Sequence, residues 1–113
     1  MTDGVLAICD GRDLQDRVLK AAGHTAACFY ADWCPDCRRL KPVFSAMAGT
    51  YTGRVRFAAV DVQRCPGLEE QYHIGLIPTV LLFCAGQAVH TWGFVEDLRA
   101  YRAVFDGLRG PET

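Results

Sequence analysis

The chain has 113 residues and a mass of 12.5 kDa, a size that fits one domain spanning 1–113. Half of it (50 %) is hydrophobic and 22 % is charged, which suits a packed globule and excludes intrinsic disorder. Lys+Arg 12 against Asp+Glu 13 leave a net charge of −1, which argues against a nucleic-acid or anionic-membrane binder, and no apolar run approaches the roughly 20 residues that span a bilayer.

In chain order, the apolar run Val5–Cys9 predicts a first strand. The stretch before Asp10 has no basic n-region and its apolar run is too short for a signal peptide, so a cytoplasmic location is expected. Asp13 is a candidate cap for a helix reaching about Ala22, with Leu14, Val18 and Ala21 on one face and Gly23 as its stop. Thr25–Ala31 is almost continuously apolar and reads as a buried strand paired in parallel. From Pro35 to about Tyr51, Leu40, Val43, Phe44, Met47 and Ala48 recur at helical steps. Pro35 suits the first turn, whereas Pro42 sits inside the helix and should kink it. Val55–Val62 is the next strand, and Pro66–Tyr72 a short helix. Thr79–Cys84 and Ala88–Trp92 form a hairpin around Ala85-Gly86-Gln87. Val95–Leu108 closes as a helix with Leu98, Tyr101, Val104, Phe105 and Leu108 on one stripe, and the tail from Gly110 should fray. The order β-α-β-α-β-α-β-β-α demands parallel crossovers first and an antiparallel pair at the end. A single mixed α/β sheet covered by helices on both faces satisfies both.

Six cysteines are many for this length. Cys9, Cys28, Cys65 and Cys84 lie in or beside apolar runs and read as reduced packing residues. Among these four, Cys65 has the best claim to reactivity, because it precedes Pro66 at a helix start. His24, His73 and His90 are isolated and read as solvent-facing. Trp92 either fills the sheet face or edges a groove. Cys34 and Cys37 differ from the other cysteines: they form a Cys-x-x-Cys where a strand passes into a helix. At a helix N-terminus, free N–H groups and the dipole favour a thiolate on the first cysteine. The second, three residues on, lies on the same helical face, so a disulfide can form and break without moving the fold. A zinc site would need a second ligand pair, and Cys65, Cys84, His73 and His90 show no such spacing. No metal and no bound cofactor are expected. Arg38, Arg39 and Lys41 add a small basic cluster on the same helix, read as a solvated face or as steering for an acidic partner.

The runs Phe29-Tyr30-Ala31-Asp32-Trp33-Cys34-Pro35-Asp36-Cys37, Lys41-Pro42, Tyr72-His73-Ile74-Gly75-Leu76-Ile77-Pro78-Thr79 and Leu82-Phe83-Cys84-Ala85-Gly86 resemble the thioredoxin family over nearly the whole chain. The resemblance implies a thioredoxin fold, with a mixed five-stranded central sheet flanked by four helices. It implies a thiol–disulfide oxidoreductase in which Cys34 attacks and Cys37 resolves. It further implies a cis Pro78 facing the sulfurs, Ile77 offering its backbone to an extended substrate, and Trp33, Pro35 and Gly93 around the same groove. Implied partners are disulfide-containing proteins or small thiols and an NADPH-dependent flavoprotein reductase. A monomer is the expectation.

Two departures stand out against the family pattern. The cysteines enclose Pro35-Asp36, a Trp-Cys-Pro-Asp-Cys that resembles one thioredoxin-related subgroup, in place of the common Gly-Pro. The family's buried Asp, six residues before the first Cys, is Cys28 here, and its Lys partner falls at Ala59. Asp36 then has two open readings: proton acceptor for Cys37, or a first-turn acid that suits the helix dipole. A carboxylate beside Cys34 opposes its thiolate and so favours a reducing couple. The rival reading is a thioredoxin-fold binding module, and between the two stands a reductase of narrow scope.

Overall fold

The computed structural model describes residues 4–93 and 97–110. Five strands form one sheet in the order β1-β3-β2-β4-β5. They are β1 (Val5–Ile8), β2 (His24–Tyr30), β3 (Val55–Asp61), β4 (Thr79–Cys84) and β5 (Gln87–Gly93). β1 and β2 both run parallel to β3, and β4 pairs antiparallel with both β2 and β5. The expected mixed sheet is present, and β2 occupies its centre. β2 therefore has one parallel and one antiparallel neighbour, and its residues 25–29 are all buried.

The helices are α1 (Gly11–Leu14), α2 (Pro35–Thr50), α3 (Leu68–Gln71) and α4 (Leu98–Phe105). α1 passes directly into a π-helical stretch, Gln15–Leu19. Leu14, Val18 and Leu68 pack with Ala27, Phe29, Val60 and Phe83 on one face of the sheet. Leu40, Phe44, Met47, Tyr101 and Phe105 pack with Ala26, Phe57, Val80 and Leu82 on the other. Neighbouring residues of one strand thus feed opposite cores, as the two-residue period of a strand requires. The aromatic rings of Phe44, Phe57 and Phe105 meet edge to face at centroid separations of 5.1 and 5.6 Å.

Several boundaries move from their expected places. The cap of α1 is Asp10, whose carboxylate accepts from the Asp13 N–H at 2.8 Å; Asp13 instead accepts from the Cys9 N–H at 2.8 Å and pairs with Arg17. The helical stretch closes at Leu19, before Ala22. α2, by contrast, keeps its expected bounds to within one residue, with Pro42 inside it. α3 is shorter than Pro66–Tyr72 and starts after Gly67, which sits at φ +91° as its cap. α4 begins after its cap Asp97, whose carboxylate accepts from the Arg99 N–H; the expected start at Val95 lies outside the described residues, as does the tail beyond Gly110. The hairpin turns on Ala85 and Gly86, both at positive φ, the requirement of a two-residue turn of the I′ type.

Candidate active site

The site forms where the central strand ends. After Tyr30 the chain turns through 31–33, and the Cys34 N–H donates to the Ala31 carbonyl. Cys34 is then the N-cap of α2, extended at φ −84° and ψ 115°, with Pro35 in the first turn. Its sulfur does what a capping oxygen does elsewhere: Cys34 Sγ accepts from the Cys37 backbone N–H at 3.3 Å. The same sulfur lies 3.7 Å from the Ile77 carbonyl oxygen, to which its thiol can donate. The Ile77–Pro78 bond is cis, as the resemblance implies. All six cysteines are free thiols.

Cys34 is 5 % exposed and Cys37 3 %. Burial, reinforced by the hydrogen bond with Cys34, pushes the Cys37 thiol well above its ordinary value, while backbone groups of Ala31 and Cys37 pull the other way. Cys37 is therefore a protonated thiol at neutral pH. Trp33 stands out at 59 % exposed beside the sulfurs. It lines a hollow of about 440 Å³ with Val62, Gln63, Glu69, Leu76 and Ile77. Gly93 lines a different hollow of about 390 Å³, reached past Leu76 and Thr79. Residues 74–76 line both hollows, with Trp33 on one and Gly93 on the other. Pro78 is buried and Pro35 is exposed.

Asp36 pairs with Arg39 one turn on, with its side chain 24 % exposed. The pair offsets the Asp36 charge and weakens its expected opposition to a Cys34 thiolate. Arg38 turns back, its guanidinium donating to the Asp32 and Trp33 carbonyls at 3.1 and 3.3 Å. The basic cluster on α2 is thus partly consumed in holding the turn that carries the cysteines.

Residues 5–101 match the family profile described as Thioredoxin. The chain belongs to the thioredoxin family. The thioredoxin of Thiocapsa roseopersicina is 33 % identical over 82 residues, which cover 73 % of this chain and 89 % of that protein. The thioredoxin of Acidithiobacillus ferridurans is 34 % identical over 87 residues, 77 % of this chain and 80 % of that one. The mitochondrial thioredoxin of Mus musculus is 33 % identical over 101 residues, 89 % of this chain and 61 % of its own length. The activity is accordingly thiol–disulfide oxidoreduction. Thioredoxins act on disulfide substrates and are themselves reduced by reductases.

The thioredoxin departure at Cys28 and Ala59 has a structural counterpart: the two residues are direct partners across β2 and β3, and both are buried. Where a carboxylate and an ammonium would face each other stand a thiol and a methyl. Burial drives the Cys28 thiol far above its ordinary value, the charges of Cys37 and Cys34 adding to the rise, so it stays neutral.

The remaining cysteines divide. Cys65 is buried, its thiol 3.6 Å from the Ile8 carbonyl, and burial with the nearby Asp61 raises its pKa. The reactivity argued from a helix start is corrected: the helix begins at Leu68 after Gly67, so Cys65 has no free helix N-terminus to stabilise a thiolate. Cys9 is exposed and not a packing residue, because β1 stops at Ile8. His73 and His90 are exposed; His24 is half-buried on β2. Trp92 fills the sheet face, stacked on Tyr101 with its indole N–H donating to the Ala100 carbonyl at 3.2 Å. Among the described residues no group of three His, Cys, Asp or Glu side chains is placed to hold a metal ion, and no helix is long and apolar enough to cross a membrane.

Proposed function

We propose that the chain is a protein-disulfide reductase in which Cys34 is the attacking thiol and Cys37 the resolving one. The observation that carries this is the capping geometry: the Cys34 sulfur sits at the N-cap of α2 and accepts the Cys37 N–H, so the two sulfurs share the first helical turn, while Cys37 is held protonated. Attack by the Cys34 thiolate on a substrate disulfide forms a mixed disulfide and expels one substrate thiolate. Cys37 then loses its proton and attacks Cys34 Sγ, the Cys34–substrate bond breaks, and the second substrate thiol leaves with the electron pair. The Ile77 carbonyl, close to Cys34, offers a backbone acceptor to an extended substrate segment, and Trp33, Pro35, Pro78 and Gly93 shape the surface around it.

The low exposure of Cys34 favours extended segments and small disulfides over bulky folded ones, which is the narrow-scope form of the activity. Asp36, tied to Arg39, serves the first turn of α2 and does not take the Cys37 proton. Asp36→Asn therefore leaves turnover and its pH profile unchanged; a flattened acid limb assigns it the proton-acceptor role instead. An NADPH-dependent flavoprotein reductase supplies electrons, and the protein works as a cytoplasmic monomer. Reduction of insulin disulfides with dithiothreitol as electron source tests the whole scheme. Activity is expected for the wild type and abolished in Cys34→Ser. Equal activity in Cys34→Ser removes this dithiol from the reaction.

A further inference from the structure

The resolving step requires Cys37 to lose a proton while a substrate covers the groove beside Cys34. A second opening reaches Cys37 away from that groove. It is a pocket of about 60 Å³ where β2 passes into α2, lined by Tyr30, Ala31, Asp32, Cys37, Arg38 and Lys41. None of these residues lines the hollow between Trp33 and Ile77. At about 30 Å³ per molecule it has room for about two waters. The residues that line it carry a carboxylate, a phenol, a guanidinium and an ammonium beside a single thiol.

We infer that Asp32 accepts the Cys37 proton through water held in this pocket during the resolving step, an inference that rests on Cys34 attacking and Cys37 resolving. Of the residues lining the pocket, Asp32 alone brings a carboxylate. Arg38 and Lys41, both on α2, are cationic and hold no free lone pair at neutral pH. Tyr30, on β2, is kept neutral: burial first, then the charges of Asp61 and Asp32, push its phenol up, against a smaller pull from Arg64. Asp61 ends β3 and is engaged with the Gln63 N–H and Arg64. The Arg38 guanidinium is spent on the Asp32 and Trp33 carbonyls, so it fixes the Asp32 backbone through its own contacts there. The step balances. The Cys37 thiol gives its proton to a pocket water, which passes one to the Asp32 carboxylate. The Cys37 sulfur forms the Cys34–Cys37 bond as the Cys34–substrate bond breaks. The substrate sulfur departs with the electron pair and is protonated by bulk water, and Asp32 returns its proton to solvent. The dithiol is oxidised and the substrate disulfide reduced.

The test is a stopped-flow reaction of the reduced protein with one equivalent of an aromatic disulfide, dithiobis(nitrobenzoate), in a Cys9→Ser, Cys84→Ser background that removes the more accessible extra thiols. The first coloured thiolate reports attack by Cys34, the second reports resolution by Cys37. In Asp32→Asn the first phase should keep its rate and the second should slow about a hundredfold at neutral pH, the low end of general-base contributions. The slowed phase should then climb steadily with pH as hydroxide takes over, and Asp32→Glu should restore most of the rate. A second phase of wild-type rate and pH profile in Asp32→Asn overturns the inference, and so does equal slowing of both phases. Release of the second equivalent by Cys37→Ser would instead refute the underlying assignment of the two cysteines, whatever Asp32 does.

Discussion

At the scale of single residues, the site is an exercise in where charge is allowed. Cys28, Cys37 and Cys65 are thiols whose ionisation burial opposes, and Tyr51, Tyr72 and Tyr101 are phenols in the same position. Each has a folded pKa raised above its unfolded one. Each therefore contributes its stability in full below the unfolded value, and that stability is lost as pH rises towards the folded value. For the thiols the window opens near their ordinary value of 9.0. Urea midpoints should hold level from neutral pH to about 9 and fall beyond it. Cys28→Val should shallow that fall without touching Cys34, and an unchanged slope would take Cys28 out of the balance. The dithiol was legible in the sequence because its chemistry needs two residues at a fixed spacing. The state of the other cysteines was not. Whether Cys9 packs depends on β1 stopping one residue sooner, and the reactivity of Cys65 depends on where a four-residue helix begins.

At the scale of elements, helix ends decide more than helix interiors do. Asp10 and Asp13 are three residues apart and either can cap. Asp10 takes the role because Asp13 is already occupied by the Cys9 N–H and the Arg17 guanidinium, which hold its carboxyl below the usual carboxylate range. Asp10→Ala should cost about 1 kcal/mol in urea unfolding, the usual size of a lost N-cap. A loss below a few tenths would mean that the π-helical stretch holds α1 by itself. α2 shows the same economy with sulfur in place of oxygen, and its cap doubles as the reacting group. Hydrophobic period alone fixed the existence of α2 and of the hairpin. Pro42 was legible as a helix-interior proline, and α2 continues past it because tertiary packing of Leu40, Phe44 and Met47 against the sheet outweighs one missing backbone bond.

At the scale of the whole molecule, successive residues of β2 and β3 point to opposite faces of the sheet and build two cores, and that was readable from apolar runs covered on both faces. What tied the chain end to the sheet was not readable. Arg54, just before β3, donates to the Phe105, Asp106 and Leu108 carbonyls at 3.3, 2.7 and 3.1 Å, satisfying the last turn of α4 from a residue more than fifty positions away. Arg54→Ala should destabilise the fold by about 1–3 kcal/mol, since three carbonyls, two of them in part-buried bonds, lose a charged donor. Thermal melts would show it, and Arg54→Lys should recover only part, lacking the fork geometry. The order β1-β3-β2-β4-β5 hangs both sulfurs from the middle strand, while Gly93 belongs to the outermost one. Edge amides break their bonds more readily than central ones. In native-state hydrogen exchange, β5 should therefore open at a lower free energy than β2, loosening one bank of the cleft while the cysteines stay in register. On the proposed function, a mutation in β5 should then change which substrates are accepted without altering the midpoint potential of the cysteine pair.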